Sequence, residues 1–63
     1  MDMAEFKRRK AELIAKWGEK LLTPTEAELR QQEEDVADLC RFAKVRPAKL
    51  LNGMAQAYLR GER

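Results

Sequence analysis

Two prolines, Pro24 and Pro47, interrupt a chain whose other residues favour helix almost without a break. Proline lacks a backbone N–H and clashes with the preceding turn, so helix interiors reject it, yet its fixed φ suits a helix's first turn. The two positions therefore mark where helices start. Around them lie nine alanines and many Leu, Glu, Lys, Arg and Gln residues, all strong helix formers. Strand signals are scarce: Ile14, Val36 and Val45 are the β-branched aliphatic residues, and none belongs to an alternating run. The pattern predicts an all-α domain of three helices, at about 3–20, 24–44 and 47–60.

In the first helix Met3, Phe6, Leu13, Ile14, Trp17 and Leu21 recur at spacings of three, four and seven, the signature of one apolar stripe. Lys10 falls within it, where its stem can lie on apolar surface while the ammonium reaches water. Gly18 weakens or ends the last turn. In "LLTPTEAEL", Thr23 is placed to cap the second helix, Pro24 to take its first position and Glu26 to complete a Thr-x-x-Glu capping box. Leu29, Val36, Leu39, Cys40 and Ala43 make that helix's apolar stripe, and "EEDVAD" reads as a solvated face. Pro47 disfavours helical geometry at Arg46, so the second helix stops near Lys44 or Val45 and a third begins at once. Gly61 is placed to terminate it.

A chain of 63 residues predicts a single helical domain over 1–63, with a core small enough that oligomerisation is expected. One cysteine, Cys40, leaves no internal disulfide and suits a reducing cytoplasm. No apolar run is long enough for a membrane span, and no signal-peptide core opens the chain. With no Ser and no His, neither a Ser-His-Asp nor a Cys-His nucleophile arrangement can be assembled, so enzyme activity is not expected. The same absences leave no zinc site in a monomer, and Gly18, Gly53 and Gly61 are too far apart for a phosphate loop. No cofactor or metal is expected.

Net charge is only +2, but it is unevenly spread. Residues 1–22 carry six basic and four acidic side chains, residues 23–44 three and six, and residues 45–63 four and one. A wheel of residues 47–60 sets Leu51, Met54, Ala55 and Tyr58 on the buried side and Arg46, Lys49, Gly53, Gln56 and Arg60 opposite them. "KRRK" at residues 7–10 is a second cationic run, suited to phosphates or to solvent.

"DLCRFAKVRPAKL" has small residues at Cys40 and Ala43, an apolar turn anchor at Val45, and Leu39 and Leu50 as core partners. In this it resembles the helix-turn-helix of bacterial and phage repressors, over residues 36–58. Lys44 stands where that motif usually has glycine, which asks a lysine to adopt left-handed or otherwise strained backbone. The resemblance implies a DNA-binding transcriptional regulator, acting as a dimer, with Arg46, Lys49 and Asn52 facing the groove of duplex DNA, and the ridge on the wheel adds Gln56 and Arg60 to that surface. "VRPAKLLNGMAQAYL" also looks like the second helix of ribbon-helix-helix repressors, although "TPTEAELRQQEED" is helical where that family has a strand. The competing expectation is a helical adaptor or inhibitor that binds a protein through Phe6, Leu13, Trp17 and Leu21.

Overall fold

The computed structural model describes residues 1–61. They form four α-helices and a 3-10 turn: α1 Met3–Trp17, the turn Gly18–Leu21, α2 Glu26–Asp35, α3 Ala37–Ala43 and α4 Pro47–Leu59. Among the described residues there is no strand, and no helix is long and apolar enough to cross a membrane. The fold is all-α as expected, but the three expected helices become four because the second is interrupted, while the first stops early and gives way to the 3-10 turn.

The first interruption is Gly18. Its backbone, at φ 51° and ψ −127°, lies where side-chain-bearing residues are strained, and its N–H closes α1 by donating to Ile14. The chain then tightens into the 3-10 turn, which buries Leu21. The second is Val36, at φ −96° and ψ 2°, which separates α2 from α3. Backbone bonding continues on either side of it, from Val36 N–H to Gln32 and from Cys40 N–H to Val36, so the two helices stay joined through the bend. The bend keeps Val36, Leu39 and Cys40 all buried.

The cap of α2 also lies elsewhere than expected. Thr25, not Thr23, accepts from the Glu28 N–H, and the Glu28 carboxylate accepts from the Thr25 N–H at 2.9 Å, completing a capping box. Two such boxes overlap in "TPTEAE". The upstream one fails because Thr23 is committed to the preceding turn, where its N–H donates to Glu19. Pro24 therefore precedes the helix instead of opening it. Lys20, 3.5 Å from Glu28, reinforces the downstream choice.

α4 packs against every other element. Leu51, Met54, Ala55 and Ala57 from it meet Ile14, Leu21, Val36 and Cys40 in one core, with Leu13, Trp17, Val45, Leu50 and Tyr58 partly buried around it. One buried side chain is polar: Gln32, which donates to the Lys20 carbonyl at 3.1 Å and so ties α2 to the 3-10 turn. Away from this core, Phe6 of α1 meets Phe42 of α3 with ring centroids 5.6 Å apart.

Candidate nucleic-acid interface

The corner between α3 and α4 is three residues long, and its geometry follows from its residue types. Lys44 adopts the left-handed conformation, φ 58° and ψ 45°, the only non-glycine with positive φ among the described residues. Its N–H and that of Val45 both bond back to Cys40, which satisfies the end of α3. Val45 then turns inward against the core, and Arg46 extends at φ −77° and ψ 148°, as a residue before proline prefers. Pro47 opens α4.

No side chain caps the start of α4, and its first turn has no acidic residue. The positive end of its dipole therefore faces solvent beside Arg46 and Lys49. Arg46, Lys49, Asn52, Gln56 and Arg60 are all exposed, on the opposite side of the helix from buried Leu51, Met54 and Ala55. Arg46 and Lys49 have no carboxylate partner among the described residues. All five residues expected at a DNA surface thus share one solvent-facing side of one helix, and α4 itself carries no acid.

The residues expected at a protein interface are divided. Leu21 is buried in the core, Leu13 and Trp17 are half-buried against it, and Phe6 stacks on Phe42 outside it. Exposed apolar surface lies next to Phe6, on Met3 and Phe42. Of "KRRK", Arg9 is drawn toward Glu5 and Asp38, and the Lys10 ammonium lies 5.9 Å from the centre of the Phe6 ring, while Lys7 and Arg8 are exposed.

Sequence reasoning missed Asp35. Read within an acidic run, it is instead the joint between α1 and α2. One of its oxygens accepts from the Trp17 indole at 2.9 Å and from Lys16 at 3.0 Å, and the other accepts from Gln31 at 3.1 Å. Burial pushes its carboxyl up, but those three hydrogen bonds and the Lys16 charge outweigh burial and hold it below the ordinary aspartate range. A signal existed: Gln32, Asp35, Val36 and Leu39 follow the spacing of one helix face. Glu28 is likewise held low, chiefly by the Thr25 backbone N–H, and burial raises the Cys40 thiol. Among the described residues no group of three or more Cys, Asp and Glu side chains converges as a metal site requires. Compared with protein-family models, curated proteins and solved structures, the chain matches none.

Proposed function

We propose that this chain binds duplex DNA through the exposed side of α4 and acts as a small transcriptional regulator. The observation that carries the reading is the composition of that side: three cations and two amides, no acid, backed by the buried side of the same helix. Arg and Lys suit phosphates, while Asn and Gln suit base edges in the major groove. The uncapped, cation-flanked start of α4 adds a favourable field for an anion. The three-residue corner sets α4 against α3, and packing with every other element holds the helix in place with its polar side outward.

Fluorescence anisotropy with a labelled random-sequence duplex, across a salt series, tests this. Wild type is expected to bind at low salt, and an Arg46→Ala, Lys49→Ala, Arg60→Ala variant to lose binding while keeping its helical circular dichroism. Absence of wild-type binding at low salt refutes the reading.

A second reading, contact with another protein through α1, is supported by a different observation. Met3, one helical turn before Phe6, is 55% exposed and Phe42, against the Phe6 ring, is 36% exposed, apolar surface that the fold leaves uncovered. A second copy of the chain is the simplest partner, as a dimeric regulator requires. Sedimentation velocity of wild type and Phe42→Glu, over a concentration series, is expected to show self-association in the first and a monomer in the second. A wild type that stays monomeric throughout removes that partner.

A further inference from the structure

Gly53 has no structural reason to be glycine. It sits in the middle of α4, where glycine is the least favourable residue after proline. Its φ is not in the positive region, which among the glycines only Gly18 and Gly61 occupy. A Cβ built on it meets nothing within 4 Å, and the residue is exposed. Alanine would fit there and would strengthen the helix, so nothing among the described residues explains the missing side chain.

Its neighbours point outward. Lys49 lies four residues before Gly53, and Gln56 and Arg60 lie three and seven after it, so the four share one row along the helix. Asn52 adjoins them. The row is a ridge with a gap at its centre, cationic at its ends and amide-bearing in the middle. Arg46 and Arg60 are fourteen positions apart, roughly 21 Å along the axis. A helix about 10–12 Å across lies lengthwise in a major groove about 12 Å wide, which sets the end cations beside the phosphate walls and Asn52 and Gln56 over the bases.

We infer that Gly53 is where α4 comes closest to the floor of the DNA major groove, and that its missing side chain sets the depth at which Asn52 and Gln56 reach base edges. The inference rests on the DNA-binding reading above and adds to it a groove, a seating position and a residue that governs fit. A methyl group at Gly53 lifts the helix from the bases while leaving every cation in place.

The test is a graded series, wild type, Gly53→Ala and Gly53→Leu, with thermal unfolding beside anisotropy on a duplex selected from a random-sequence pool by its binding to wild type. Gly53→Ala is expected to raise the melting midpoint by roughly 4–8 °C, because alanine favours helix. Its affinity is expected to fall about tenfold, the worth of one good base contact, and that of Gly53→Leu further. A stabilised Gly53→Ala that binds as tightly as wild type overturns the inference and leaves the DNA reading standing. Wild type that fails to bind removes both.

Discussion

Lys44 pays in backbone strain for its place at the corner. Left-handed backbone costs a side-chain-bearing residue about 1–2 kcal/mol, a cost that glycine escapes. Lys44→Gly is therefore expected to raise unfolding free energy in urea by about 0.5–1 kcal/mol, the greater freedom of an unfolded glycine offsetting part of the gain. A loss of stability instead would mean that the lysine side chain contributes more than its backbone costs. This strain was legible only through the resemblance, because Lys44 stands where the helix-turn-helix motif usually has glycine. The cap of α2 was less legible. Thr23 and Thr25 each precede a glutamate by three residues, and only the hydrogen bond from Thr23 to Glu19, a product of the 3-10 turn, decides between them.

Between elements, the main polar link is Asp35, which holds α2 to two donors on α1. Its carboxyl titrates lower in the folded chain than in the unfolded one, so it contributes stability above the unfolded value, about pH 3.9, and that contribution disappears as pH falls through the folded value. Asp35→Asn is expected to lower unfolding free energy by about 1–2 kcal/mol at about pH 7, and the gap to wild type is expected to narrow toward about pH 3. Urea titrations monitored by circular dichroism at the two pH values measure both; an equal gap at each would show that the charge is immaterial. The break at Val36 had no local signal, since no Gly or Pro marks it and "DVADL" continues as good helix. It answers to tertiary packing: the bend buries Val36, Leu39 and Cys40 together while Asp35 stays within reach of Trp17. α4 was the most legible element, because Pro47 and Gly61 bracket it and its two sides differ so sharply in composition.

Across the whole molecule, which measures 30 × 23 × 16 Å, charge is sorted by element. Six carboxylates lie in residues 26–38, whereas α4 has none. Binding through α4 alone is expected to give a slope of about −3 in the plot of log affinity against log salt, one increment of about 0.9 for each of Arg46, Lys49 and Arg60. Glu33→Gln with Glu34→Gln is expected to leave that slope unaltered, since both residues are exposed on α2 and lie outside the contact. A steeper wild-type slope that falls when Lys7 and Arg8 become alanine would extend the footprint to α1. The seam between the first two helices has one more use. The chain's single tryptophan donates to a carboxylate there, half shielded from water. The molecule thus contains a native optical gauge: opening of that seam shifts the emission of Trp17, while a ligand seated on the solvent-facing side of α4 leaves its colour alone, so loosening and occupancy can be told apart in one unlabelled sample.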